Sequence, residues 1–298
     1  LSLILGMGLP TTANYIVVPA LLAPVIATLG QQNGLIVPLI AAHLFVFYFG
    51  IMADVTPPVG LASFAAAAVS GGDPIKTGVV AFFYSLRTAA LPFLFIFNTE
   101  LLLIGVGWGQ GIFVFIVATI AMLLFAAATQ GWFLAKNRFY ETIALLLIAF
   151  TLFRPGFWMD MVSAPFAEEA PAQIAQAASD TEAGKDLRLR VAGVNDLGDP
   201  IEFVAIVPIV EGATGEEKLE AAGLTFRTEG EKMLIDDVAF GSAAQDAGLD
   251  WDQEVLRVLK PVPQPSKYLM FIPALLLLGA IVMLQRGRSG RSRKTAAA

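Results

Sequence analysis

Two short stretches place helix-breaking and polar residues inside otherwise apolar sequence. They lie at 6–15 and 53–60, and their members with chemistry to offer are Gly8, Thr11, Thr12, Asn14, Asp54, Thr56, Pro57 and Gly60. Hydroxyl, amide and carboxylate oxygens are the ligands that hard cations prefer. Proline lacks a backbone N–H and disfavours helical geometry in the residue before it, so we expect each stretch to interrupt a helix.

An interrupted helix inside a membrane is a candidate binding site. Hydrocarbon cannot pair with free backbone groups, so non-helical backbone persists there only where it lines a cavity or coordinates a ligand. Carbonyl groups before the breaks attract a cation, and the helix N-termini at 12–14 and 59–62 attract an anion. We therefore predict an Na⁺ site whose side-chain ligands are Thr11, Thr12, Asn14 and Thr56. In the alternative interpretation, the breaks are kinks in packing helices.

Ionisable residues within the apolar segments need separate interpretations. Asp54 is either a carrier of Na⁺ or of a proton, or a cap for the helix that follows it. Arg87 lies in the middle of a predicted span and needs a partner, for which Asp54 is a candidate. Glu141 lies near a span end, where we expect solvation at the membrane interface.

The composition identifies the elements that must position these residues. The chain has 298 residues, of which 56% are hydrophobic and 15% charged, and its mean hydropathy is +0.71. These values are typical of an α-helical polytopic membrane protein. The lengths of the apolar segments predict a hairpin at 1–29, a broken helix at 35–70, and full spans at 77–98, 111–135, 138–157 and 268–285.

The hairpin is expected to be re-entrant. Its longer arm has about 15 residues and rises roughly 22 Å, which is less than the roughly 30 Å of the hydrocarbon core. Because the chain begins inside an apolar arm with neither Met nor a signal-peptide pattern, we expect it to be the C-terminal part of a longer permease.

Basic residues in the short loops predict the orientation. The C-terminal tail contains Arg286, Arg288, Arg291, Arg293 and Lys294, so the positive-inside rule places the C-terminus in the cytoplasm. Counting spans backwards places Lys136 and Lys76 on the cytoplasmic side as well. The same count places residues 158–266 and the open end of the hairpin on the outer side.

The outer segment differs in composition from the rest of the chain. Residues 160–266 include 21 acidic and 8 basic residues, which argues against nucleic acid or anionic lipid as a partner. We expect a linker at 164–178, strands at 187–194 and 203–210, and a short helix at 216–222.

Part of this segment, at 223–260, resembles a PDZ domain. The resemblance comes from a loop followed by a short helix, and the sequences are Gly223-Leu224-Thr225-Phe226 and Gly241-Ser242-Ala243-Ala244-Gln245-Asp246-Ala247-Gly248-Leu249. It implies a small α/β module whose loop amides bind a peptide carboxylate. The alternative is a folded cap or docking module without peptide binding.

The sequence contains no zinc-protease or α/β-hydrolase motif. His43 is the single histidine, cysteine is absent, and neither a His-Glu-x-x-His nor a Gly-x-Ser-x-Gly motif occurs. These motifs would be expected for a zinc protease or an α/β-hydrolase. We therefore expect neither an enzyme nor a cofactor, and a helix-packing role for His43.

The two interrupted helices resemble the large membrane subunit of TRAP (tripartite ATP-independent periplasmic) transporters. The residues that carry the resemblance are Gly6-Met7-Gly8-Leu9-Pro10-Thr11-Thr12-Ala13, Pro19, Pro24, His43 to Gly50 and Ala53-Asp54-Val55-Thr56-Pro57-Pro58-Val59-Gly60. The variant resembled is the fused small-plus-large permease that works with periplasmic receptors of the TAXI type. The resemblance is specific over residues 1–98, and residues 99–298 resemble the C-terminal extension of such permeases.

This resemblance implies an elevator-type secondary transporter in a bacterial inner membrane. It implies that 1–98 is the second of two inverted repeats, and that a small organic anion is the substrate. It also implies Na⁺ sites at Gly8, Thr11, Thr12, Asn14, Thr56, Pro57 and Gly60. The run at 47–54 departs from the Asn-Leu-x-Ile-Gly pattern of better-known members, so protons carried by Asp54 are an alternative coupling ion.

The sequence predicts four parts of the chain and leaves two functions open. The parts are the transport repeat at 1–98, two spans at 99–157, the acidic periplasmic module at 158–266, and a last span with a basic tail at 267–298. The expected partners are a TAXI-type receptor, the first repeat and small-subunit helices of the permease, and the lipid bilayer. The competing function is a membrane-anchored, peptide-binding interaction or quality-control scaffold.

Overall fold

The computed structural model describes residues 1–57, 59–194, 198–230 and 232–296. It divides into two compact units. The first consists of Leu1–Pro24, Pro38–Ser163 and Gln264–Ala298, and the second of Val25–Val37 and Ala164–Pro263. Pro58 and the side chains of Arg87, Arg291, Arg293 and Lys294, to which the sequence assigned roles, lie outside the described part.

The first unit is helical. In chain order its helices are α1 (Ser2–Gly6), α2 (Thr11–Gln32, which continues into the second unit), α3 (Leu39–Met52), α4 (Leu61–Ser70), α5 (Pro74–Phe97), α6 (Trp108–Thr129), α7 (Phe139–Phe153), α8 (Pro155–Val162) and α12 (Phe271–Ala296). Short 3₁₀ turns at Thr99–Leu102 and Lys267–Met270 connect some of them.

Four helical segments among the described residues are long and apolar enough to cross a membrane. They are α2, α5, α6 and Lys267–Arg288. The predicted span at 138–157 is instead a bent pair, because α7 and α8 meet at an angle of 85°. The bend falls at Pro155, whose ring disfavours helical geometry in Arg154. Several apolar helices therefore form the membrane part of the protein, as the composition predicts.

The hairpin differs from the sequence expectation in the length of its second arm. Helix α2 has 22 residues and begins at Thr11, because Thr11 and Thr12 are helical and do not belong to the break. A helix of this length rises roughly 33 Å, which is enough to span the hydrocarbon core. The arm is therefore longer than the sequence predicts, but its part from Val25 to Gln32 belongs to the second unit. The break is present at Met7–Pro10, and the re-entrant form of the hairpin stays a prediction.

Helices α3 and α4 are separated as the sequence predicts. Helix α3 ends at Met52 and α4 begins at Leu61. Gly60 adopts a left-handed conformation with φ of +38° at the N-cap of α4, a region that glycine enters at little steric cost. Next along the chain, Asp73 caps α5 by accepting a hydrogen bond from the Lys76 N–H at 2.7 Å.

Helices α6, α7 and α12 share an apolar core that surrounds one buried polar cluster. Glu141 and Gln285 are each 0% exposed. The Glu141 Oε2 atom accepts hydrogen bonds from Gln285 Nε2 at 2.9 Å and Arg288 Nη2 at 2.7 Å. The expectation of an interfacial, solvated Glu141 was therefore wrong, because α12 brings a donor pair from far along the chain.

The second unit contains a six-stranded antiparallel sheet. Its strands are β1 (Phe166–Glu169), β2 (Asp186–Val194), β3 (Pro200–Pro208), β4 (Leu224–Glu229), β5 (Lys232–Val238) and β6 (Glu254–Pro261), and the helices α9 (Ile174–Asp180), α10 (Gly215–Ala221) and α11 (Ala243–Asp246) accompany them. The order is β3-β2-β6-β5-β4, and β1 also pairs with β6. Strands β3 and β4 are therefore the edges of this path.

The core of the second unit lies between the sheet and its helices. Leu187, Leu189 and Val191 alternate along β2 and are buried, as expected for one face of a strand. Ile174, at the start of α9, belongs to the same core. The linker predicted at 164–178 is therefore wrong, because this stretch forms β1 and most of α9 despite its Ala- and Pro-rich composition.

Candidate functional site

The break between α3 and α4 is a compact turn held by its own backbone. After α3 ends, the amides of Asp54 and Thr56 donate to carbonyls three residues earlier, at 3.3 Å each. The chain then reverses, since the Gly60 N–H donates to Thr56 O at 3.0 Å and the Ala62 N–H donates to Asp54 O at 3.0 Å. Each of these carbonyl oxygens has a second lone pair, so it retains capacity to bind a cation.

Two hydroxyl groups are buried in this turn. Thr56 Oγ1 donates to Met52 O at 2.7 Å, and Ser63 Oγ donates to Val55 O at 3.2 Å. Thr56 is 8% and Ser63 is 3% exposed. Because each hydroxyl uses its single hydrogen in these bonds, the lone pairs of both oxygens are left as acceptors or cation ligands.

The hairpin meets the broken helix at Gly50, about half a turn before α3 ends at Met52. A Cβ atom added to Gly50 would lie 2.3 Å from Asn14 Nδ2, and one added to Gly6 would lie 2.4 Å from Gly50 O. Two glycines therefore allow α1, α2 and α3 to approach at backbone distance. Asn14 is 3% exposed, and its side-chain amide makes no hydrogen bond to any residue in the described part of the chain.

The predicted site residues differ in their surroundings. Asn14, Thr56 and Gly60 are buried, whereas Asp54 and Pro57 are half-buried. Gly8, Thr11 and Thr12 are exposed. The structure thus gathers Asn14 and the 54–60 turn around the end of α3, and it leaves the side chains of Thr11 and Thr12 on the open face of the first turn of α2. Their roles as ligands stay predictions.

Two further residues support the turn and were not selected from the sequence. A Cβ atom added to Gly78 of α5 would lie 2.9 Å from Pro57 Cγ and 3.7 Å from Ser63 Cβ. Gly78 therefore gives Pro57 and Ser63 room to pack against α5. Ser63 lies three residues after Gly60, in otherwise apolar sequence. A polar residue at that distance from the helix break was the feature of the sequence that could have identified it.

Aromatic residues line the hairpin side of α3. Tyr15 makes edge-to-face contacts with His43 and Phe47, with ring centroids 6.2 and 5.2 Å apart. His43 is half-buried in this contact. The geometry agrees with a packing role for His43, which lies about two and a half turns before the end of its helix.

The PDZ-like loop is closed by the fold of its own unit. The Gly223 N–H donates to Glu220 O at 2.9 Å, and Gly223 O accepts from the Ala239 N–H at 2.9 Å. Leu224 is buried and Phe226 packs against the core, whereas Thr225 is exposed. The Gly223 amide is thus already used within the chain, and the outer side of edge strand β4 is the part left for a peptide.

Comparison with protein families gives two matches that together cover most of the chain. Residues 1–109 match the Tripartite ATP-independent periplasmic transporter, DctM component. Residues 111–291 match the Domain of unknown function (DUF3394). Comparisons with curated proteins and with solved structures gave no match.

The first match confirms the resemblance to the TRAP large subunit over residues 1–109. Residues 1–109 are accordingly a segment of the DctM type, and the described part of the chain has four helical segments long and apolar enough to cross a membrane. By its description, the DctM family consists of components of tripartite periplasmic transporters.

Proposed function

Because the chain belongs to the DUF3394 family and carries a DctM segment, we propose that it is the cation-coupled part of a secondary transporter. Its substrate is a small organic anion that a TAXI-type periplasmic receptor delivers. An inward Na⁺ gradient drives uptake. The C-terminus lies in the cytoplasm and residues 158–266 lie in the periplasm, as the basic loops suggest.

One observation carries this proposal, namely that the two interrupted helices meet through Gly50. Asn14 offers an amide oxygen from α2, and Thr56 offers a hydroxyl oxygen from the break after α3. Both groups are more than nine-tenths buried, so a ligand there competes with little water. The Thr56 hydroxyl spends its hydrogen on Met52 O, so its lone pairs remain available to a cation.

The same geometry suggests how transport is coupled. A cation held between Asn14 and the turn at 54–60 is coordinated by oxygens from both segments, so its binding favours the state in which the hairpin is closed on the turn. The N-terminal ends of α2 and α4 carry partial positive charge that suits an anionic substrate. The hairpin and broken helix then move together in an elevator-type step.

The alternative to Na⁺ as the coupling ion is a proton carried by Asp54. Asp54 is half-buried, and its carbonyl, not its carboxylate, is the group that accepts from the start of α4. The N-cap of α4 is Gly60, so the capping role considered for Asp54 is filled by another residue. We propose Na⁺ because the buried oxygens of Asn14 and Thr56 are neutral and suit a cation that keeps its charge.

Replacement of the Thr56 hydroxyl tests the site directly. We expect Thr56→Val to abolish solute uptake by proteoliposomes that contain the complete permease and its receptor, because valine removes an oxygen ligand without changing the side-chain volume. Thr56→Ser should retain uptake. Thr119→Val is the matched control, since Thr119 Oγ1 donates to Phe115 O at 2.8 Å in the same local pattern but lies exposed on α6. Normal uptake by Thr56→Val would contradict the proposal.

A second candidate function is the peptide-binding scaffold, and the position of β4 at a sheet edge favours it. An edge strand can pair with an extended peptide. Excision of residues 164–263 separates the two functions, because Gln264 Nε2 hydrogen-bonds Ser163 O and the cut ends are therefore adjacent. Uptake by the excised permease supports the transporter, whereas absence of uptake by both the excised and the unexcised permease supports the scaffold.

A further inference from the structure

The outer end of α2 and the loop after it fold with the sheet unit. Residues Val25–Val37 belong to the same compact unit as Ala164–Pro263. Asn33 forms a parallel β-bridge with Val204 of the edge strand β3. Gly34, with φ of +73°, places its Cα so that an added Cβ would lie 3.4 Å from Val204 Cβ. The loop therefore occupies part of the free edge of the sheet.

A half-buried arginine secures the same loop. Arg188 Nη1 of β2 donates to Gly34 O at 2.6 Å, and the guanidinium stacks over the Phe166 ring with 4.6 Å to the ring centroid. Burial lowers the pKa of Arg188 and neighbouring Asp186 raises it, but an arginine stays charged at any physiological pH. A charged donor to a backbone carbonyl is among the stronger hydrogen bonds, so this contact fixes the position of the loop.

The loop is in turn tied to the last turns of α2. The Leu35 N–H donates to Gly30 O at 2.9 Å, and Asn33 Nδ2 donates to Leu29 O at 2.8 Å. Because α2 is one helix from Thr11 to Gln32, restraint at its outer end acts on the helix that carries Asn14 at its inner end. Pro24 lies in this helix at the boundary between the two units, where a proline weakens the helix and allows bending.

The contact between the loop and the sheet has features that allow the two to separate. Between the helix end and the sheet lies a cavity of about 300 Å³, lined by Thr28, Gln31, Gln32, Phe203, Asp246 and Gln253. Its walls are mostly polar, so separation exposes little apolar surface to water. One charged hydrogen bond and one β-bridge join the loop to the sheet, so few contacts must break when the loop leaves it.

We propose that the sheet unit is a latch on the hairpin: Arg188 and strand β3 hold the loop at 33–34 in one state of the transport cycle, and the loop leaves them in another. This inference rests on the proposed transport function, because a latch on α2 has no role if the hairpin does not move. It assigns the DUF3394 segment a regulatory role in hairpin movement, distinct from peptide binding at β4.

A reversible cross-link tests the latch. The chain has no cysteine, so the pair Asn33→Cys and Val204→Cys introduces one possible intrachain disulfide, and paired bridge residues lie within disulfide range. We expect oxidation of the complete permease to lower solute uptake at least about tenfold, which is a common size for conformational coupling. Reduction should restore uptake.

A second cysteine pair serves as the control. It shows whether oxidation, or a disulfide elsewhere in the sheet unit, affects uptake by itself. Thr228 and Met233 face each other across β4 and β5, away from the loop, so Thr228→Cys with Met233→Cys should leave uptake unchanged in both states. Unchanged uptake by the oxidised Asn33/Val204 pair, with the disulfide verified by mass spectrometry, would overturn the latch. Absence of uptake by the reduced pair and by the unmodified permease would instead count against the transport function.

Discussion

At the scale of single residues, the account depends on which oxygens are hidden from water. Asn14 and Thr56 are buried, whereas Thr11 and Thr12 carry equally suitable hydroxyl groups on an exposed turn. A hard cation gains most from ligands that are already desolvated and held in place. We therefore rank Asn14 and Thr56 above the two N-terminal threonines as ligands in this state of the protein.

Gly50 sets the position of Asn14, which gives a prediction. In Gly50→Ala the new Cβ would lie 2.3 Å from Asn14 Nδ2, so the flexible amide must move while the backbone can stay. We expect a folded protein whose Na⁺ concentration for half-maximal uptake rises about tenfold, which corresponds to about 1.4 kcal/mol. Sodium titration of uptake measures this shift.

Gly279→Ala is the control for the Gly50 variant. An added Cβ at Gly279 of α12 meets nothing within 4 Å, so its sodium titration should match that of the unmodified permease. Identical curves for Gly50→Ala and Gly279→Ala would show that the position of Asn14 does not matter for cation binding.

The residue types of the site could be predicted from the sequence, but their burial could not. Helix-breaking residues beside Thr and Asn indicated where chemistry was possible. The periodicity of apolar residues could not predict that Asn14 is more buried than Thr12. The burial of Asn14 depends on its contact with Gly50, which lies 36 positions further along the chain. The same limitation applies to Glu141, whose partner Gln285 lies 144 positions away.

At the scale of elements, the junction of α7 and α12 is the most specific contact in the helical unit. Gln285 Oε1 accepts from the amides of Leu134 and Ala135 at 2.9 and 3.1 Å, while its Nε2 donates to Asn137 and Glu141. One side chain on α12 thus satisfies the connector before α7 and the first turn of α7. Glu141 Oε1 is buried without a partner among the described residues, so the cluster has no spare donor.

Loss of the Gln285 hydrogen bonds should weaken the packing of α12 against α7 and lower the stability of the protein. In Gln285→Leu, the connector amides and Glu141 lose buried partners at a cost of about 1–3 kcal/mol each. We expect the temperature of thermal unfolding in detergent, followed by circular dichroism, to fall by roughly 5–10 °C. Gln110→Leu is the control, because its exposed side chain makes one hydrogen bond of 3.2 Å to Glu100. Equal unfolding temperatures for the two variants would contradict a structural role for the cluster.

The elements were predictable where apolar length or helix breakers defined them. The separation of α3 from α4 followed from the prolines and Gly60. The existence of α5 and α6 followed from their apolar runs, although α6 ends at Thr129 and not near 135. The stretch at 164–178 could not be assigned, because its Ala- and Pro-rich composition hides the three residues that pack into the core, Ile174, Ala177 and Ala178. Tertiary packing overrides weak local preference in such segments.

At the scale of the whole molecule, the division into units differs from the division of the sequence. The end of α2 and the loop after it, Val25–Val37, fold with residues Ala164–Pro263. Nothing in the composition near Gly34 indicates a partner, because the contact uses a backbone carbonyl and a β-bridge, neither of which depends on distinctive side chains. This non-local pairing is what gives the DUF3394 segment a physical means of acting on the hairpin.

The coupling ion tests the central claim, which is that two interrupted helices jointly hold a cation. Uptake by proteoliposomes containing the complete permease and its receptor should be measured with an inward Na⁺ gradient at equal pH, and again with an inward proton gradient in the absence of Na⁺. The account predicts accumulation of the solute only in the first condition, and its loss in Thr56→Val. Accumulation driven by protons alone and undiminished in Thr56→Val would contradict the account, and would transfer the coupling role to Asp54.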